Sequence, residues 1–96
     1  MKIAIGQVPV VMGDKPTNVR TIFEYLEQAA RKRCDVAVFP ECSLAGWLSS
    51  AVHAAAEEIP GPLTEELGRR ARAHRMAVVL GMEERRGRLH RRALLL

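Results

Sequence analysis

The sequence predicts an α/β fold in the order β-α-β-α-β-β. Three observations carry that expectation. Short apolar runs rich in Val and Ile recur at residues 2–8, 35–39 and 76–82. Between them lie two longer stretches whose apolar residues fall at i, i+3, i+4, i+7, the period of an amphipathic helix. Gly- and Pro-containing segments punctuate the boundaries. A strand-helix-strand succession implies parallel pairing with a right-handed crossover. The first three strands are therefore expected to lie parallel, with a fourth returning as a hairpin.

Taken in order, Lys2 to Val8 reads as a buried strand, with Ile3, Ile5 and Val8 among its apolar residues. Pro9 to Pro16 is a loop. Thr17 or Asn18 is expected to cap the first helix, because a side-chain oxygen there can accept a free backbone N–H. Val19, Ile22, Phe23, Leu26, Ala29 and Ala30 form its apolar stripe, and it ends near Arg33 with a basic last turn that suits the dipole. Asp35 to Phe39 is a second strand, apolar enough to be covered on both faces. Pro40 cannot donate to a ladder and ends it. Ala51 to Glu58 could form a short helix, broken by Pro60-Gly61-Pro62. Leu63 to His74 is the second long helix, with Glu65 and Glu66 in its first turn and His74 and Arg75 at its end. Met76 to Met82 is the third strand. Glu83 to Arg88 holds a turn centred on Gly87, and Leu89 to Leu96 the fourth strand.

Bulk properties narrow the class. A chain of 96 residues is at most one domain. Apolar residues make up 48%, which argues against disorder. The formal charge is +4, and nine of the twelve arginines fall between Arg69 and Arg92. No aromatic residue interleaves with them, and base stacking needs aromatics, so nucleic acid is not an expected partner. Two cysteines make no disulfide framework. No apolar run approaches the length of a membrane span, and Gly6, Gln7 and Pro9 interrupt any signal-peptide core. A cytoplasmic, reduced setting is expected. His53, His74 and His90 lack the short paired spacing of metal ligands, so no metal is expected.

The segment with the most chemistry is Asp35 to Trp47, D-V-A-V-F-P-E-C-S-L-A-G-W. In open α/β sheets ligands bind beyond the carboxyl ends of the strands, so Glu41 is placed for general-base work. This run resembles the first active-site block of the carbon–nitrogen hydrolase (nitrilase) family: an apolar strand, then F-P-E, then G-Y or G-W. The opening M-K-I-A-I-G-Q-V, the position of Asn18, the stretch Ile59-Pro60-Gly61-Pro62 and Gly81-Met82-Glu83-Glu84-Arg85 resemble further blocks in the family's order. The resemblance covers almost the whole chain. It implies the start of an α-β-β-α sandwich in which two subunits pack together, hence a homo-oligomer in the full-length form. Residues 1–96 would be the N-terminal part of one such domain.

The resemblance also implies a hydrolase of non-peptide carbon–nitrogen bonds, acting on a small-molecule amide, nitrile or carbamoyl-amide without cofactors. Its members use a Glu, a Lys and a Cys. The Cys attacks the carbon, the Glu takes the thiol proton and later activates water, and the Lys holds the developing negative charge. Glu41 matches the Glu. Lys2, Lys15 and Lys32 do not match the Lys, and neither Cys34 nor Cys42 matches the nucleophile. The isolated chain is therefore expected to be inactive. Two substrate-binding residues are suggested: Trp47, as a pocket wall or else packed core, and Glu84, as a pocket residue or else a polar turn residue. One departure stands out: His90-Arg91 replaces the Tyr-Asn that commonly opens the family's fourth strand. The rival reading is a non-catalytic interaction module that associates through an exposed sheet edge.

Overall fold

The computed structural model describes residues 1–46, 54–86 and 88–95, with 86 and 88–95 described by their backbone. The elements are β1 (Ile3–Ile5), α1 (Lys15–Arg31), β2 (Val36–Val38), α2 (Pro62–His74), β3 (Ala77–Arg86) and β4 (Arg88–Leu95). They form one four-stranded sheet in the order β1-β2-β3-β4. β1, β2 and β3 are parallel, and β4 returns antiparallel to β3. Order, type and direction agree with the sequence expectation.

The helix ends are set by local chemistry. Asp14, rather than Thr17 or Asn18, caps α1. Its carboxylate accepts from the Thr17 amide at 3.2 Å and from the Thr17 hydroxyl at 2.8 Å. A carboxylate both accepts two bonds here and favours the positive helix end. Pro16, with its φ already helical, fits the first turn. α2 starts at Pro62, with Gly61 as cap, and the Thr64 hydroxyl accepts from the Gly61 amide at 2.9 Å.

Both helices stop with the same device. Arg33 and Arg75 adopt left-handed conformations, with φ of 57° and 51°. Arg33 and Cys34 then donate to Ala30 and Ala29, and Arg75 and Met76 to Arg72 and Ala71. This is a Schellman pattern, which satisfies the last carbonyls and turns the next residue inward. Cys34 and Met76 are accordingly buried.

The core lies on one face of the sheet. Ile22, Leu26 and Ala29 of α1 and Leu67 and Ala71 of α2 cluster with Ala37, Val78, Leu80 and Met82. Leu67, Val78 and Leu80 are fully buried. The other face is different. Ile3 and Ile5 are 55% and 75% exposed, and their ladder partners Val36 and Val38 are only half-buried. The expectation of a buried β1 and a β2 covered on both faces is thus corrected: helices cover a single face. β1 is also shorter than the Lys2–Val8 run: the bond from the Gly6 amide, just past its end, to Val38 at 2.8 Å is the last this run makes to β2.

Two further expectations change around β3. The strand continues to Arg86, so Glu83 and Glu84 lie within a ladder instead of a turn, opposite Arg91 and His90. The register therefore sets Arg91, the departure noted in the sequence, across from a carboxylate-bearing position, where opposite charges are favourable. Residues 51–53 of the suggested short helix lie outside the described residues, and 54–58 are not helical. Glu57 instead bridges to β3: its amide donates to Glu83 at 3.0 Å, and Arg85 donates to its carbonyl at 2.8 Å. β2 ends early and leaves those ladder groups of β3 free, and Glu57 satisfies them.

Candidate active site

Glu41 stands just past the carboxyl end of β2. The Phe39 amide makes a last bond across to Val79 at 2.8 Å, and Pro40 has no N–H with which to continue. The chain then turns tightly. Cys42 takes a left-handed φ of 58°, the Ser43 hydroxyl donates to the Pro40 carbonyl, and the Gly46 amide donates to Cys42 at 3.0 Å. Glu41 is exposed while Cys42, Ser43, Leu44, Ala45 and Gly46 behind it are buried. The turn thus presents one carboxylate to solvent and tucks its other residues inward.

Two contacts fix this turn. The first is Gly81 of β3. A Cβ on Gly81 would stand 2.8 Å from the Glu41 Cα and 3.4 Å from its amide nitrogen. Glycine within a strand often marks such a close backbone approach. By strand alternation, Gly81 faces away from Leu80 and Met82. Glu41 therefore rests on the face the helices do not cover.

The second contact is Asn18, 1% exposed. Its side-chain oxygen accepts from the Val11 amide at 2.8 Å. Its Nδ2 donates to the carbonyls of Val11 and Leu44, each at 2.8 Å. The Gly13 amide adds a bond to Ala45 at 2.9 Å. Asn18 thus ties the loop before α1 to the turn that carries Glu41. A buried side chain that makes three bonds to fixed backbone is a positional clamp.

The other described candidates differ in burial. Glu84 is 2% exposed and, by alternation, on the opposite face of β3 from Gly81. Glu83 shares the Gly81 face and is 9% exposed. Glu83 lines a cavity of about 10 Å³ with Cys42, Leu44, Ala45, Gly46, Ala55 and Met82, room for about one water. Trp47 and His53 lie outside the described residues. Cys34 sits at the end of the sheet away from Glu41, bonded through its amide to Ala29. His74 contacts Glu27 at 3.1 Å.

Lys15 pairs with Glu57 and holds the incoming segment against the start of α1. The arginines of α2 work locally. Arg70 lies 4.1 Å over the Phe23 ring and bonds to Glu66 and Glu27, which joins the two helices. Arg69 and then Arg70 hold the Glu66 carboxyl below the ordinary carboxylate range. Among the described residues, no cluster of three His, Cys, Asp or Glu side chains could hold a metal. No helix there is long and apolar enough to cross a membrane.

The roles of Asn18 and Gly81 were not legible as such in the sequence. Asn18 reads as a cap, and Gly81 as one letter of a block. A usable signal was present for Gly81: a glycine inside an otherwise apolar strand suggests close approach by another backbone.

Comparison with known proteins agrees with the fold. The sequence profile of the carbon-nitrogen hydrolase family matches residues 2–96. Among curated proteins, no sequence matches this one significantly. A CN-hydrolase superfamily protein from Xanthomonas campestris, solved with an arsenic adduct in its active site, aligns over 93% of this chain with a TM-score of 0.74 and 20% identity. Glutamine-dependent NAD(+) synthetases from Cytophaga hutchinsonii and Acinetobacter baumannii each align over 98%, with TM-scores of 0.71 and 0.67 and identities of 19% and 20%. The chain spans 38%, 16% and 18% of the lengths of these three.

Proposed function

The chain belongs to the carbon–nitrogen hydrolase family, and on that premise we propose that Glu41 is the general base of a hydrolase acting on a small-molecule amide, nitrile or carbamoyl-amide. Residues 1–96 are, in this reading, the N-terminal part of a single domain. The observation that carries it is the placement of Glu41: an exposed carboxylate beyond a parallel strand, fixed by Gly81 and Asn18, within the F-P-E block. A base must be held in position before its pKa matters.

The chemistry is that of the family. A cysteine thiol gives its proton to the Glu41 carboxylate as its sulfur attacks the carbon of the substrate. Glu41 passes that proton to the substrate nitrogen, which leaves an amide as ammonia, and the regenerated carboxylate then takes a proton from water as the water attacks the acyl carbon and the sulfur departs. A lysine ammonium stabilises the oxyanion or imine anion between these steps. Cys42 does not suit the nucleophile's part, because it adjoins Glu41 in sequence and is buried in the turn. The nucleophile and the lysine are thus assigned outside this chain, which alone would not turn over substrate. No cofactor or metal enters this scheme. A reducing, cytoplasmic setting fits the free thiols of Cys34 and Cys42.

Two of the similar structures are glutamine-dependent enzymes, so glutamine heads the substrate panel. Ammonia release by the full-length protein that carries this chain would be measured with glutamine, other primary amides, carbamoyl-amides and nitriles. Release from at least one is expected; release from none overturns the reading.

A second reading, an association module, draws on β1. Among the described residues β1 pairs with β2 alone, and its Ile3 and Ile5 are exposed. Such an edge invites pairing. A monomer at every concentration in size-exclusion chromatography would exclude it.

A further inference from the structure

We propose that Gly81 and Asn18 are positioning residues for Glu41, the first against the Glu41 backbone and the second at Leu44, holding its turn so that the carboxylate meets the reacting atoms. The proposal rests on the reading of Glu41 as the base and adds the devices that place it.

The argument for Gly81 is steric. β2 and β3 run in register through Val38 and Val79. Past that pair the two chains part. The β2 chain lifts out of the ladder at Pro40, and the vacated edge of β3 is taken by Glu57, which bonds at Glu83 and Arg85. At the point of departure the Glu41 backbone lies against Gly81, where any side chain would stand. The 2.8 Å separation of a Cβ from the Glu41 Cα is closer than real Cβ contacts come. The clash is with backbone, so no rotamer change relieves it. A methyl group there must move Glu41 or bend β3, and β3 is held on both sides by its ladders.

The argument for Asn18 is one of hydrogen bonding. The amide group alone supplies both an acceptor for Val11 and donors for the Val11 and Leu44 carbonyls. Aspartate at this site keeps the acceptor and sets an oxygen against two carbonyl oxygens. The Leu44 end of the turn would be released while the start of α1 keeps its own cap at Asp14.

Displacements of about 1 Å in a catalytic group cost about a hundredfold in rate. The test uses the full-length protein and ammonia release from whichever panel compound it hydrolyses best. Gly81→Ala and Asn18→Asp are each expected to lower kcat about a hundredfold while KM changes much less. In a Glu41→Gln background neither is expected to lower the residual rate further. Either folded variant retaining kcat within about twofold would overturn the proposal, as would losses that multiply with that of Glu41→Gln. If Gly81→Ala does not fold, Asn18→Asp decides on the same criteria. Full activity of Glu41→Gln would sink the base assignment itself, a different failure from an inactive Glu41→Gln beside a fully active Gly81→Ala.

Discussion

The two faces of the sheet differ in what covers them. On one, Ala37, Val78, Leu80 and Met82 are buried beneath Ile22, Leu26, Leu67 and Ala71 of the helices. On the other, Ile3 and Ile5 stand exposed, Val36, Val38 and Val79 are half-buried, and the backbone of Glu41 lies across Gly81. Apolar burial is the main favourable term in folding, so the covered face supplies most of the stability of this unit. The second face carries the proposed chemistry. On the proposed reading the difference separates what holds the chain together from the chemistry it carries, and substitutions on the two faces are expected to show different phenotypes.

The covered face yields the largest change in stability. Leu67→Ala leaves a cavity at a fully buried position and is expected to cost about 3 kcal/mol in urea unfolding. A loss below about 1 kcal/mol would mean that α2 is not anchored as described. Next come the helix stops. Arg33 and Arg75 are exposed and left-handed, a conformation that costs a side-chain residue about 1–2 kcal/mol. Part of the gain from glycine is offset by its greater freedom in the unfolded chain. Arg75→Gly is expected to stabilise by about 0.5–1 kcal/mol, and a destabilisation would show that the arginine has a role beyond its backbone angle.

The open face sharpens the contrast. Ile5→Ala, at 75% exposure, is expected to change the stability of the 96-residue chain by no more than about 0.5 kcal/mol. A loss comparable to that of Leu67→Ala would make the two faces equivalent. The smallest effect belongs to Glu66. Its carboxyl is held low by Arg69 and Arg70, so it binds its proton less readily when folded than when unfolded. Its contribution to stability is present above the ordinary carboxylate range and fades as pH falls through the lowered value. Glu66→Gln should therefore narrow the stability gap between neutral and acid pH slightly, as read from melting curves. A gap that widens would reverse the assigned sign.

Much of this architecture was legible locally. The stripe from Val19 to Ala30 and the existence and order of the strands and the second helix depend on near neighbours, and these appear where expected. The misses share a cause: they depend on residues far apart in sequence. The alternation Ile3-Ala4-Ile5 shows that two faces exist, but not which one the helices cover. β3 extends through Glu83 and Glu84 because β4 and Glu57 pair with it. The helix cap is the exception: Asp14 accepts from Thr17 only three residues on, while Asn18, the other residue expected to cap, bonds Val11 and Leu44 instead. Glu41 was visible as a strand-end carboxylate within a recognisable block. What holds it became visible only when Gly81, far along the chain, met its backbone.

The most direct single measurement compares wild type with Glu41→Gln in the full-length protein, taking kcat for ammonia release and Tm on the same preparations. The expected result is a fall in kcat of at least about a hundredfold with Tm within about 2 °C, because an exposed carboxylate on the open face serves the reaction and not the core. An unchanged kcat, or a loss of activity that merely tracks a collapsed Tm, would contradict the separation of the two faces.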